Sequence, residues 1–413
     1  MFDRIKRHYE KIICACCFLI LFTNIGLPST SFSVYQPFLV ELPGVGHTGG
    51  AVVISVRTFV SLIAMFFVAR YYRLLDCRVG VLVSSACVAA GFVLYGFAQG
   101  NFIALCVGSV LTGLGYGMGG MVASTMLIGR WFRSHTATAA GIAAVGSGVA
   151  AVLIPPLAVA LIDVTSLSIA FVAEGCLAAA VGLLVFFLLR NRPEDMGLEP
   201  YVCEGDRGRF RSQRTRVNRG IPHSWVPLVF VAMVFVGAIS VGGNNYLAVL
   251  FTSEGYPVER AAAFVALGGA CLTVAKLLTG VCFDRWGTLR GSIVFFSLFI
   301  LGTALLCVSA LGYEWLAPIA VVVFSVGLSL GTVGISIWSI ELAPQGRQVQ
   351  TIKNFQIAYA LGGFVCTFLP GFLMDAFGTY VVSYLLLLVL VVVAAVIVVG
   401  IYSVLASREA RTR

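Results

Sequence analysis

Twelve apolar runs, each long enough to cross a bilayer, follow one another along this 413-residue chain, separated mostly by short polar breaks. One helix needs about 20 residues to span about 30 Å of hydrocarbon. The runs lie at 12–40, 49–70, 79–99, 101–129, 137–161 and 167–189, then at 225–251, 261–283, 291–311, 316–342, 351–373 and 380–405. The long polar stretch 190–224 falls between the sixth and the seventh. The expected architecture is therefore an all-α membrane protein with 12 transmembrane helices in two six-helix halves, 1–189 and 225–413, joined by a basic linker at 190–224. Composition agrees: 59% of the residues are hydrophobic and 11% charged, with a mean hydropathy of +0.99, whereas a soluble domain carries about 25% charged residues.

The net charge of +9 is informative by position. With the N-terminus inside, the cytoplasmic segments hold 23 of the 27 Lys and Arg residues, and the opposite loops hold Arg260 alone. Positive loops stay in the cytoplasm, so both termini are expected there, in a multi-pass protein of the cell membrane. The basic residues have no aromatic-lined polar surface near them, which argues against a nucleic-acid partner. Arg4, Lys6, Arg7 and Lys11 precede a run too long for a secretory signal and without a small-residue cleavage site, so it reads as a retained first helix. None of the 12 cysteines falls in an expected external loop. Cys14, Cys16 and Cys17 lack His or carboxylate company and read as packing residues rather than metal ligands. No cofactor is expected.

The two halves resemble one another internally. Gly113-Leu114-x-x-Gly117-x-x-Gly120 in span four matches Gly327-Leu328-x-x-Gly331-x-x-Gly334 in span ten at an offset of 214, and the same offset relates Gly148 and Pro156 to Gly362 and Pro370. Six helices precede the repeat, so the halves should share one topology, related by an axis along the membrane normal.

Several motifs point to a family. Gly280-x-x-x-Asp284-Arg285-Trp286-Gly287-x-x-Arg290 follows span eight, and its first-half counterpart, Tyr71-Tyr72-Arg73-Leu74-Leu75-Asp76-Cys77-Arg78, keeps the basic residues but lacks the aspartate at the matching place. With Arg192-Pro193-Glu194-Asp195-Met196-Gly197-Leu198 after span six and Ser31-Phe32-Ser33-Val34-Tyr35 near the end of span one, the chain resembles the major facilitator superfamily. Within it, these short motifs look like the monocarboxylate porter and oxalate/formate antiporter branch. The resemblance implies the major facilitator fold, secondary transport by alternating access and a gating loop in each half, here Arg73 and Arg78, then Asp284, Arg285 and Arg290.

Charges at membrane depth cost roughly 2.5 to 3.5 kcal/mol on insertion scales and are functional by default. Arg57 lies about nine residues into span two and is expected to line a cavity, the alternative being a structural pair with a neighbouring helix. Lys276 sits eight residues before Asp284. The branch resemblance implies an arginine that binds the substrate carboxylate there, and lysine replaces its planar fork with a point charge; the alternative is a lysine snorkelling to the interface. Lys353 lies near the start of span eleven and reads as interfacial. Glu174, well inside span six, reads as structural or as a partner for a basic residue, the alternative being a proton-carrying role. In this fold spans one, four, seven and ten line the cavity, which adds Asn24, Tyr35, Gln36, Tyr116, Asn244, Asn245, Tyr246, Ser336 and Trp338 as candidate contacts.

An enzyme is not expected. His8, His47, His135 and His223 lie at or beyond helix ends, and neither a His-Glu-x-x-His motif nor a Ser/His/Asp set appears. The expected substrate is a small organic anion, a mono- or short dicarboxylate, moved with protons or against a counter-anion. The alternatives are a drug or metabolite exporter of the same fold and a non-transporting membrane sensor. A cationic-drug pump would place acids in its cavity, where bases are found here.

Overall fold

A computed structural model describes residues 9–31, 35, 38–39, 42–43, 45–203, 225–309, 315–344 and 346–411. Gln36, the N-terminal Arg4, Lys6, Arg7 and His8, the linker arginines beyond Arg192 and His223 lie outside them. Contacts divide the chain into two compact units, Met1–Arg216 and Val217–Arg413.

The first unit holds span one (Tyr9–Leu21, continuing as a π-helical stretch Phe22–Ser31), span two (Gly46–Leu74), span three (Cys77–Phe97), span four (Phe102–Gly119 and Met121–Trp131), span five (Thr136–Val164) and span six (Leu167–Leu188). The second holds span seven (Val226–Ala238, a π stretch Ile239–Gly243, then Leu247–Ser253), span eight (Val258–Trp286), span nine (Thr288–Ser309), span ten (Ala317–Leu328, a 3-10 turn Ser329–Gly331, then Val333–Glu341), span eleven (Gln348–Phe377) and span twelve (Val381–Arg411). Eleven of these segments are long and apolar enough to cross a membrane among the described residues, and span eleven is the twelfth long helix.

Helix dominates because hydrocarbon offers backbone N–H and C=O groups no partners. Large apolar side chains such as Phe59, Phe66, Phe67, Phe372 and Val396 are exposed on the outer faces. Exposed phenylalanine would be a liability in water but suits lipid. The cores are built from residues such as Phe92, Phe171 and Ala178 in the first unit and Phe299, Phe324 and Tyr384 in the second.

The regular ladder fails on four helices, spans one, four, seven and ten. On the first three a side chain from another helix donates to a backbone carbonyl at the failure, and on span ten the contact is between side chains. The Arg57 guanidinium donates to the Pro28 carbonyl within the π stretch of span one. The Tyr72 hydroxyl donates to the Met118 carbonyl beside the break in span four (2.9 Å), and the Tyr384 hydroxyl donates to Gly243 at the end of the π stretch of span seven (2.6 Å). In span ten the side chain of Ser329, in the 3-10 turn, is 2.6 Å from the Thr279 hydroxyl of span eight.

The internal repeat is present in the packing, though not at the register expected from glycine spacing. The added Cβ of Gly146 would strike the backbone of span one, at the Phe18 carbonyl and Phe22 nitrogen. Gly362 meets span seven in the same way, at the Val234 carbonyl and Ala238 nitrogen. Gly26 facing Ala150 is likewise matched by Gly242 facing Cys366. All five positions advance by 216 (146 to 362, 18 to 234, 22 to 238, 26 to 242, 150 to 366). Gly119, tight against Asn24 of span one, corresponds instead to Gly331, tight against Ser240 of span seven, an advance of 212 (119 to 331). The offset of 214 thus averages two local registers. Small residues recur every turn or so on membrane helices, so a match by spacing alone slides easily.

Gly362→Ala is expected to cost about 1–3 kcal/mol by overpacking against backbone that cannot yield. Gly269→Ala, in a helix where an added Cβ meets nothing within 4 Å, should be neutral or stabilising by up to about 1 kcal/mol. Thermal unfolding of the two variants in detergent checks the contrast.

Candidate functional site

In the first unit the site grows from span two. Arg57 lies 11 residues beyond the helix start at Gly46, about 16 Å along the axis at about 1.5 Å per residue. It is half-buried, with one arm on Pro28. Gly113 of span four lies against this stretch of backbone, where a Cβ would come within 2.6 Å of the Arg57 carbonyl oxygen and 3.3 Å of its Cα. One turn further, the half-buried Tyr116 comes within electrostatic reach of the guanidinium, as does Tyr95 of span three. The Tyr95 hydroxyl is 2.9 Å from Ser109 Oγ and 3.1 Å from Thr112 Oγ1. A cation, two phenols and the opened backbone of span one therefore meet at one level of the bundle.

Tyr35 has different company. It is fully buried, stacked on Phe171 with ring centroids 4.2 Å apart, and its hydroxyl donates to Glu174 Oε1 at 2.5 Å. Glu174, expected to be structural or to pair with a base, thus takes its hydrogen bond from a phenol. Asn24 is also fully buried, its amide nitrogen donating to the Ile20 carbonyl and to Ser85 Oγ, both at 3.2 Å.

In the second unit Lys276 is 6% exposed and stands ten residues before the end of span eight at Trp286, about 15 Å along the helix. One turn on is Thr279, joined to the break of span ten. Asn244 and Asn245, just past the π stretch of span seven, are exposed, and the ring of Tyr246 lies 5.7 Å from that of Tyr380. Trp338 is fully buried, stacked on Phe296 at 5.6 Å with the rings nearly parallel, and donates to Ser292 Oγ at 3.1 Å. Ser336 is buried and donates to its own helix at Thr332 (2.8 Å). Lys353 is half-buried, five residues into span eleven.

The two segments expected to form gating loops are more helical than loops. Asp284 and Arg285 belong to the last turn of span eight, Gly287 alone (φ 81°) turns the chain, and Arg290 is already in span nine. Glycine tolerates that positive φ without a Cβ clash. In the first unit Arg73 is exposed, whereas Arg78 donates twice to the Phe186 carbonyl (3.2 and 3.1 Å) and sits 4.9 Å over the Phe186 ring. Arg78 thus satisfies an orphan carbonyl at the end of span six. Tyr9 does the same for Leu188 (2.6 Å) and Trp131 for Arg190 (3.1 Å). Beyond them Tyr201 is tied to span four, taking N–H bonds from Arg133 and Ser134 and giving its own to Trp131. The aromatic partners Tyr9, Trp131 and Tyr72 carried no signal in spacing or charge that singled them out.

The sequence model of the Major Facilitator Superfamily matches residues 14–367. The chain belongs to that superfamily. This major facilitator protein is accordingly a multi-pass membrane transporter working by alternating access, not an enzyme. Its fold is similar to that of the Escherichia coli fucose:proton symporter FucP (TM-score 0.66, 17% identity, 94% of this chain and 97% of that one). It is also similar to the proton:xylose symporter XylE (TM-score 0.68, 14% identity, 94% and 95%) and to a bacterial homologue of the iron transporter ferroportin in an outward-facing state (TM-score 0.70, 16% identity, 96% and 100%). A curated relative, the putative transporter YoaB of Bacillus subtilis (strain 168), is 28% identical over 139 residues, 32% of this chain. The match spans about a third of that relative's length (33%).

Trp338→Phe should keep the stack on Phe296 and lose the bond to Ser292, costing about 1 kcal/mol. A thermal unfolding series in detergent, with Ser292→Ala as the reciprocal variant, measures it.

Proposed function

We propose that this transporter moves a small organic anion, a monocarboxylate or short dicarboxylate, across the cell membrane, with both termini in the cytoplasm. The observation that carries the reading is the choice of partner at the helix breaks. Phenols serve spans four and seven, and a guanidinium serves span one. A neutral donor suffices to satisfy a carbonyl, so the choice of a permanent charge at Arg57 points to a further use. An anion is its natural complement, since a planar fork matches a carboxylate. Tyr116, within electrostatic reach of the same group, adds a neutral donor.

Lys276 supports the same sign of charge in the second unit, buried at a depth where an ammonium is expensive. Asn244 and Asn245 offer donors and acceptors to whatever hydroxyl or carbonyl groups the anion carries. This reading keeps the likeness to the monocarboxylate porter and oxalate/formate branch, with lysine in place of the arginine implied there. The gating roles of Arg73, Arg78, Asp284, Arg285 and Arg290 belong to the same proposal.

Uptake of a labelled carboxylate panel into proteoliposomes tests it. Arg57→Gln is expected to cut uptake at subsaturating substrate at least about tenfold, the loss of one charge-assisted hydrogen bond, while the variant remains monodisperse. Lys276→Arg should retain transport with an altered preference, and Lys276→Ala should lose it. Wild-type uptake of none of the carboxylates, or full activity in Arg57→Gln, would reject the anion reading.

A further inference from the structure

The first unit contains a carboxyl group that the proposed anion site does not use. Glu174 lies seven residues into span six and is 6% exposed. Its Oε1 accepts the Tyr35 hydroxyl at 2.5 Å, and its Oε2 is buried without a hydrogen-bond partner. The seam is tight. Gly175, the next residue, lies against span three, where a Cβ would come within 2.8 Å of Val93 and 2.9 Å of the Ala89 carbonyl. One turn before Glu174, Phe171 packs on both Tyr35 (4.2 Å) and Tyr95 (5.4 Å).

The group on Glu174 is a phenol, and a second phenol lies across Phe171. Tyr35 comes from the segment after span one and Tyr95 from span three, whose hydroxyl is occupied by Ser109 and Thr112. On the other packed elements the charged groups lie at the ends, while the thiols Cys14, Cys16 and Cys17 of span one and Cys87 of span three lie further along. Asp163 is on the last turn of span five, and Tyr9 and Arg78 cap the opposite end of span six. Among the described residues none of these is a cation on the carboxyl. A carboxylate so enclosed, with one phenol as its sole donor among the described residues, is expensive, and a proton on Oε2 removes the charge. A glutamine would satisfy the Tyr35 hydroxyl equally well without any ionisable group. The chain places an acid here all the same.

We propose that Glu174 is a proton-binding site of this transporter, loaded at Oε2 while Tyr35 holds Oε1, and that this proton is what couples anion movement to a pH gradient. Binding forms an O–H bond at Oε2 with a proton taken from bulk water, and release returns it there; no other group changes. Tyr35 is a positioning residue, since it fixes the carboxyl through a single hydrogen bond and lies outside the span that bears it. This places proton and anion on different helices, Glu174 on span six and Arg57 on span two. The coupling statement rests on the anion reading, whereas the proton site does not.

Infrared difference spectroscopy of the purified full-length protein across a pH titration reads the site without any substrate. A carboxylic C=O band that appears and disappears reversibly with pH is expected in wild type, with the Glu174 component missing from Glu174→Gln. Tyr35→Phe should keep that component and move it to higher frequency, because the carbonyl loses its hydrogen-bond donor. In proteoliposomes Glu174→Gln should retain carboxylate counterflow and lose accumulation driven by an imposed pH gradient. An unchanged titrating band in Glu174→Gln, or no titrating band in wild type, overturns the proton site. Gradient-driven accumulation undiminished in Glu174→Gln overturns the coupling. Absence of all carboxylate transport in wild type, with the band present, would defeat the anion reading and leave the proton site standing.

Discussion

A chain in hydrocarbon has to satisfy its own backbone, because no water is available to complete a broken ladder. Most of this protein meets the demand with uninterrupted helix. Spans one, four, seven and ten do not, and the first three draw on a side chain of another helix to make good the loss. Those borrowed side chains explain much of what surrounds the breaks. Gly113 is needed because span four must come close to the Arg57 backbone, and Tyr384 is fully buried because it has to reach Gly243. The candidate site is therefore less a set of residues added to a bundle than the region where backbone continuity is given up and replaced.

Such a design also separates two kinds of polar group. Ser336, Ser339 and Thr303 turn their hydroxyls back on their own helices, which satisfies them without reference to any ligand. Arg57, Asn244 and Asn245 are not buried in this way. Trp338 belongs with the first kind. Its ring is held by Phe296 and its N–H by Ser292, a distinction that residue type and span number do not reveal.

Much of the architecture was legible because membrane helices advertise themselves: the apolar runs placed the helices to within a few residues, most visibly where Leu167–Leu188 meets the expected 167–189. Arg57, Lys276 and Glu174 stood out because a charge among aliphatic residues has no neutral reading. The true register of the repeat did not stand out, since Gly146 looks like any other small residue in sequence and only its approach to Phe18 marks it as the counterpart of Gly362. Nor did the Tyr35–Glu174 bond. It joins residues 139 positions apart, and a single sequence holds no record of such a pairing. The gating segment of the second half was misjudged as a loop because Asp284 and Arg285 are polar. Polarity marks the membrane boundary, and the helix continues through it to Trp286.

Gly287 leaves spans eight and nine with one residue between them. Consecutive Cα atoms are about 3.8 Å apart, so this connection is a hinge pin with no slack. The ends it joins can change angle, but they cannot separate. Any motion that displaces the end of span eight carries the start of span nine with it, along with Thr288, which is tied to Glu341 at the end of span ten (2.6 Å). Three helices of the second unit are thus mechanically ganged at one face, and a displacement that begins beside Lys276 is delivered there as the movement of a single lever.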